Sequence, residues 1–359
     1  MKPLGVARLL RDRRATRSRF LQLFALSVIL MTVLSLNYEL VHGPARYLDE
    51  VRATAWVTMP ANDNLIANSY FTESILNKLQ RSPGITSADG VFLNYTSIRG
   101  PRGSISGIAL SYNPTGITAP RLSAGRQALQ PGEAVLDTLL PARLGVKLGG
   151  VIHIGTLKLT VVGLAPGVNS IAKDVVFLRP GDMAKLTGSY VYGAAAVAGK
   201  FTDIRAAAVR LGLRVFTKQG WVRSNVAYWN AAIGPLFSLV VFAVGIFGVL
   251  LVASGLRREI ETNRRISGVL FAIGYPKLGV VVGEYVQVIA VGVVAFVIAL
   301  PLAAVLVILS NRAVIGISAV LDSYAIRETA VIIATVCVLA PIGPLIRLTR
   351  TDPAIVYRE

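Results

Sequence analysis

One cysteine, Cys337, and two histidines, His42 and His153, are all that the 359 residues contain of these types. A disulfide framework is thereby excluded, as is a multi-cysteine or His-rich metal site within the chain. Charge is scarce too. Only 16% of the residues are Asp, Glu, Lys or Arg, whereas about a quarter is usual in soluble domains. Acidic residues are the scarcer sign, 19 against 37 basic, leaving a net charge of +18. With 53% hydrophobic residues and a mean hydropathy of +0.60, intrinsic disorder is excluded and a soluble enzyme fits poorly. The class that fits is membrane protein.

Long apolar runs are what the chain has in quantity. Those at 20–41, 231–256, 281–309 and 329–346 are each long enough for a helix to cross a ~30 Å hydrocarbon core. The surplus positive charge is distributed around them. Residues 1–19 hold Lys2, Arg8, Arg11, Arg13, Arg14, Arg17 and Arg19, and 257–280 hold Arg257, Arg258, Arg264, Arg265 and Lys277. The tail at 347–359 adds Arg347, Arg350 and Arg358, while 310–328 offsets Arg312 and Arg327 with Asp322 and Glu328. The positive-inside rule accounts for this pattern without nucleic acid. It predicts a multi-pass protein of the inner (plasma) membrane with both termini cytoplasmic, a cytoplasmic loop at 257–280, and a large external segment at 42–230. The first run could instead be a signal peptide, but its apolar stretch is long, and Leu36, Asn37, Tyr38 and Glu39 make a poor cleavage site. Glu39 is expected at the interface, reaching headgroups.

Between 42 and 230 the texture changes to glycine, proline and short β-prone runs. A helix is predicted over 68–81, with strands at 91–98, 104–112, 134–136 and 175–178, a helical turn at 139–144, and a hairpin of 151–154 with 157–164. The fold class is therefore an α-helical membrane protein with four transmembrane helices and a large α+β extracytoplasmic domain between helices 1 and 2. That domain carries 20 basic and 10 acidic residues, a surface suited to anionic lipid, polymer or an acidic partner, or simply to solvent. Its aromatics Tyr70, Phe71, Phe92, Tyr95 and Tyr112 are read as core. No catalytic, cofactor-binding or metal-binding set is apparent. The segment 193–201 has a P-loop flavour, but its spacing is one residue too long and Phe201 stands where Ser or Thr would hold Mg²⁺.

Three stretches carry a family resemblance. Pro131, Gly132, Glu133 and Asp137, followed by Gly145, Gly149 and then Val161, Val162 and Gly163, resemble the small β-rich lobe of MacB-type ABC permeases, although Gly150 stands where Asp is common. In 257–280, Arg258, Glu259, Ile260, Leu270, Ala272, Ile273 and Gly274 resemble the ATPase-coupling region of MacB/FtsX-type permeases, with residues 261–267 inserted between its halves. There Ile266, Val269, Leu270 and Ile273 share one helical face, and Gly274 followed by Pro276 ends it. Glu284 matches a commonly acidic position of that family, and Arg350, Asp352, Pro353 and Ala354 resemble its ending.

The resemblance covers the whole chain. It implies a permease without a nucleotide site of its own or any cofactor, working as a homodimer with a separate cytoplasmic ABC ATP-binding subunit and embedded in membrane lipid. A periplasmic adaptor or hydrolase is a further partner it allows. Gly245 and Gly248 in the second run and Ala295, Ala299 and Ala303 in the third form small-residue stripes compatible with a dimer seam, and equally with packing inside one chain. Export or outer-leaflet extraction is the implied activity. An FtsX-like mechanotransmitter that activates a cell-wall hydrolase is the nearest rival, and a membrane-anchored sensor a more distant one.

Overall fold

A computed structural model describes residues 13–66, 69–166, 173–262, 274–313 and 319–349. The chain forms two compact units. One comprises Met1–Tyr38, Pro235–Leu309 and Ala319–Glu359, the other Glu39–Gly234 and Ser310–Ser318. In chain order the elements are α1 (Arg13–Glu50), β1 (Ala55–Thr58), β2 (Phe71–Thr72), α2 (Glu73–Gln80), β3 (Ile85–Gly100), β4 (Gly103–Ser111), β5 (Ala124–Gly125), β6 (Glu133–Asp137), α3 (Leu140–Leu144), β7 (Val151–Ile154), β8 (Leu157–Ala165) and β9 (Asp174–Leu178). They continue with α4 (Pro180–Thr187), β10 (Val191–Tyr192), β11 (Ala194–Gly199), α5 (Phe201–Arg210), β12 (Arg214–Thr217), α6 (Lys218–Thr262), α7 (Lys277–Ala313), α8 (Ser323–Leu339) and α9 (Ile342–Thr349).

The second unit is an α/β domain on a ten-stranded mixed sheet of order β12-β1-β11-β3-β4-β9-β6-β8-β5, with β7 pairing β3 and β8. The 16-residue β3 joins two lobes: Ile85–Val91 pairs with β11, and Phe92–Gly100 with β4. Side chains alternate across a strand, and here the alternation fills a core on each face. Trp56, Val91, Ile108, Leu110, Val135, Phe177, Ala194 and Ala196 point into one cluster, which Tyr47, Leu48 and Val51 from α1 and Trp221 from α6 complete. The opposite face is split between the lobes. Ala55, Val57, Ala195 and Val197 meet Leu76, Leu79, Ile204 and Ala207 from α2 and α5. Leu136, Val176 and Leu178 meet Leu140, Leu144 and Met183 from α3 and α4. Burial on both faces explains why β6 and β9 read as unbroken apolar runs.

Several expectations are revised here. The helix predicted over 68–81 occupies only Glu73–Gln80, because Phe71 is drawn into a two-stranded pair with Tyr192. Upstream of it, Asn62 Nδ2 donates to the carbonyls of Ser69 and Gly193 (2.6 and 3.1 Å). Tyr70 and Tyr95 are exposed, unlike Phe71, Phe92 and Tyr112. Glu39 does not reach outward: it is 4% exposed and ion-paired with Arg46 at 2.5 Å. The P-loop-like segment is β11, hydrogen-bonded antiparallel to both β1 and β3, so it has no free loop to wrap a phosphate. Gly90 leaves room for the Tyr192 ring, which lies 2.2 Å from where a Cβ would stand.

The first unit is helical. Among the described residues, four helices are long and apolar enough to cross a membrane: Thr16–Glu50, Lys218–Thr262, Lys277–Asn311 and Ser323–Thr349. Each outruns its apolar run at one or both ends, since a helix continues through polar residues that an apolar window excludes. The fourth is interrupted, with α8 ending at Leu339 and α9 starting at Ile342, where Pro341 and Pro344 remove backbone donors. Leu23, Leu26 and Leu30 of α1 pack with Val252, Val288, Ala295, Ile333, Val336 and Cys337.

Trp221 fixes the start of α6 to the sheet. It is fully buried, stacks on Trp56 (6.3 Å between centroids, 28°) and tilts against Phe216 (4.9 Å). Trp221→Ala is expected to cost about 3–5 kcal/mol. In the full-length protein, amide hydrogen exchange should accelerate in β1 and β12 and stay unchanged in β7 and β8.

Candidate functional site

The helical unit contains a groove of about 440 Å³ walled by α1, α6 and α8. On α6, Val241, Gly245 and Val249 recur every fourth residue, as do Ser238, Phe242 and Ile246, and two adjacent helical rows line one wall. Ile332, Thr335, Val336 and Leu339 form the facing wall on α8, and Leu34 and Asn37 come from α1. The polar lining is concentrated toward one end, with Asn37, Ser238, Tyr324 and Glu328, while Val249 and Leu339 mark the apolar end. Tyr38 packs on Tyr324 (5.5 Å) beside the polar end. Asn37 Oδ1 is buried and meets no hydrogen-bond donor among the described residues. Glu328 lies 3.6 Å from Arg327 and is partly exposed. A groove of this size with one polar end suits an amphipathic molecule.

A second polar feature lies in the same unit. Arg19 of α1 and Glu284 of α7 are both buried and approach to 3.6 Å, with Gln287 buried one turn on. Ionisable groups among apolar helices are expensive and persist where they pair. The sequence displays each partner separately, Arg19 within a basic segment and Glu284 at an acidic family position. Nothing in local spacing announces the pair.

The residues of the expected coupling region divide three ways. Leu270, Ala272 and Ile273 lie outside the described residues, as do Ile266 and Val269. Arg258 and Glu259 stand in the last turns of α6, Arg258 exposed and flanked by an Arg257–Glu261 ion pair of 2.8 Å. Ile260 packs with Tyr275 against Val280, Leu345 and Leu348. Lys277 Nζ donates to the Thr349 carbonyl at 2.8 Å. The two ends of the 257–280 segment and α9 thus share one small core, a contribution of Tyr275, Leu345 and Leu348 that sequence reading missed. Gly274 has φ +84° with open space at its Cβ position, so backbone conformation alone demands glycine there.

The small residues are occupied within the chain. Ala295, Ala299 and Ala303 are fully buried, and a Cβ on Gly248 would stand 2.5 Å from Leu26; Gly245 borders the groove. In the α/β domain the Pro131–Asp137 motif does structural work. Arg126 pairs with Glu133, and its hydrogen bonds hold the Glu133 carboxyl down to about 2. Gly132 N donates to Asp182 Oδ2 at 3.0 Å, and Asp137 Oδ1 accepts from Leu139 N at 2.8 Å. No group of three or more His, Cys, Asp or Glu that could hold a metal occurs among the described residues.

Four helices of spanning length among the described residues, with an α/β domain between the first two in sequence, fit the class of multi-pass membrane proteins. Comparison with known proteins narrows the class. The chain is similar to ABC transporter permeases: it is 27% identical over 239 residues to uncharacterized ABC transporter permeases from two strains of Mycobacterium tuberculosis. The match covers 66% of this chain and 64% of each relative, so it spans a little under two thirds of their length. No protein-family profile matches the chain. Among solved structures, it is similar to the extracellular domain of the noncanonic ABC-type transporter YknZ from Gram-positive bacteria (16% identity, 46% of this chain and 100% of that one, TM-score 0.37). A similar likeness is to the periplasmic region of MacB from Actinobacillus actinomycetemcomitans (13% identity, 48% and 92%, TM-score 0.41).

The Arg19–Glu284 pair yields a test of its own. Removing one partner leaves an uncompensated buried charge, so Arg19→Ala or Glu284→Ala should each cost about 3–5 kcal/mol. The double replacement Arg19→Met with Glu284→Leu should recover most of that loss, as read from thermal unfolding of the full chain in detergent.

Proposed function

We propose that the chain is the permease subunit of an ABC transporter of the MacB type, driven by a separate cytoplasmic ATP-binding subunit. Both termini and the 257–280 segment are cytoplasmic in this reading, and the α/β domain is extracytoplasmic. The observation that carries it is the small core uniting Ile260, Tyr275 and the Val280 turn with Leu345 and Leu348 of α9. A push on that segment reaches the start of α7 and the C-terminal end of α9 together. Two copies associate along α6, which buries the least of its apolar window of the four spans, 11%. The groove between α1, α6 and α8 supports movement of an amphipathic substrate, by export or extraction from the outer leaflet, over mechanotransmission without a solute.

Orientation is tested by labelling. In a Cys337→Ala background, a cysteine at the exposed Ser189 should react with an impermeant thiol reagent on spheroplasts, and one at the exposed Thr262 only after lysis. Equal labelling of both in sealed cells would reverse the assignment.

Coupling is tested at two positions. Gly274→Val forces a β-branched residue to φ +84°, costing about 1–3 kcal/mol of local strain. Glu259→Arg inverts a charge at the end of α6. Both variants should insert at normal abundance yet lose association with the ATP-binding subunit in a pull-down, and lose transport-linked hydrolysis in vesicles, whereas Arg126→Ala should retain both. Full activity in both loop variants would remove this segment from the mechanism.

A further inference from the structure

α7 is one helix of 37 residues, which at about 1.5 Å per residue makes it about 55 Å long. Its start lies in the small core of Val280 with Ile260, Tyr275, Leu345 and Leu348, within the helical unit. Its far end belongs to the α/β unit, which takes in the chain again at Ser310. There a guanidinium holds the main chain of α7. Arg143 Nη2 donates to the Asn311 carbonyl at 3.0 Å, while Nη1 donates to both carboxylate oxygens of Asp174, at 2.7 and 2.8 Å. Carbonyls in the last turn of a helix take donors from outside it, and a cation there meets the negative end of the helix dipole. Arg143 is itself fixed at its base. It sits in the last turn of α3, whose Leu140 and Leu144 are buried, and Gly145 closes that helix at φ +68° with its N–H donating to the Pro141 carbonyl.

The stability of the domain does not by itself account for this pair. Asp174 is fully buried at the start of β9, and burial raises its carboxyl above the usual range, although the hydrogen bonds and charge of Arg143 act in the opposite direction. The ionised carboxylate is thus costlier here than in water, and two apolar side chains of similar volume would serve the packing as well. What an apolar pair lacks is a donor for α7. The guanidinium fork supplies one, with its two ends committed to two acceptors. The other helices meet the domain differently. Tyr47 of α1 and Trp221 of α6 bury apolar surface on the face shared by both lobes, whereas Arg143 and Asp174 belong to the lobe of α3, β6 and β9. We propose that Arg143 is a positioning residue for transport: anchored on Asp174, it clasps the far end of α7 and passes the displacement of that helix to this lobe. The proposal rests on the permease reading, which supplies the displacement at the 257–280 segment.

Amide hydrogen exchange of the full chain in nanodiscs tests both halves of the proposal. Arg143→Met with Asp174→Leu removes the donor to Asn311 without leaving a buried charge unpaired, so its unfolding midpoint should equal the parent's. Without the ATP-binding subunit, exchange in residues 310–313 of this variant should rise about tenfold, the loss of one charge-assisted hydrogen bond. Should the double variant fail to fold, Arg143→Lys, which keeps a cation beside Asp174 and gives up the fork, carries the same expectations. The second arm adds the ATP-binding subunit and traps it with ATP and vanadate. In the parent, trapping should change exchange in the 257–280 segment and in α3 and β9. In the variant, the response of the segment and the rate of ATP hydrolysis should be retained, and the response of α3 and β9 lost. A residue that merely stabilised the domain would leave that response intact. The proposal is overturned if exchange at 310–313 matches the parent's, or if α3 and β9 of the variant respond as the parent's do. It is equally overturned if the parent's segment responds to trapping while α3 and β9 do not. A parent complex in which the 257–280 segment also stays silent defeats the permease reading, and transmission through α7 with it, while the first arm still decides whether Arg143 clasps the helix.

Discussion

Burial of one apolar layer holds the α/β domain together. Trp56, Val91, Ile108, Val135 and Phe177 project from five strands of both lobes onto a single face, and the side chains that cover them come from helices that also belong to the apolar unit. Tyr47 reaches this layer from α1, and Trp221 from α6. Each carries a large apolar surface, and Tyr47 adds a hydrogen bond to the Thr118 carbonyl. Neither lobe can bury its half of the face alone, because the cover spans the junction between them. Continuity of α1 through Glu50 and of α6 from Lys218 is therefore a requirement of the domain's own stability.

Polar groups in the helical unit follow two different logics. Arg19 and Glu284 oppose their charges between helices at 3.6 Å, an attraction that offsets part of the cost of burying them. Asn37 and Glu328 instead sit where a groove opens, beside Ser238 and Tyr324, and their polarity faces space that a molecule can enter. The first arrangement holds helices in register; the second leaves hydrogen-bonding capacity unspent.

Much of this architecture is legible in the sequence. Hydropathy alone marks the four helices, because spanning segments must be apolar over a fixed length. The hairpin of Val151–Ile154 with Leu157–Ala165 follows from its alternation and Gly155. What escaped is governed by distant partners. β11 is a run of alanines whose strand character comes from pairing with β1 and β3, so no strand was expected there. Glu39 looked interfacial until Arg46 supplied its partner.

A strand that passes directly from one partner to the next offers no loop residue at which to bend. β3 passes from pairing with β11 at Val91 to pairing with β4 at Phe92 without an intervening free residue. Domains that open and close about a ligand do so at loop or terminal residues that absorb the change in backbone angle. No loop residue separates the two pairings, so bending one lobe upon the other would have to distort paired strand residues. Force delivered to either lobe must be borne by the sheet as a whole, as a lever bears load, and any yielding must come from the segments that cover it.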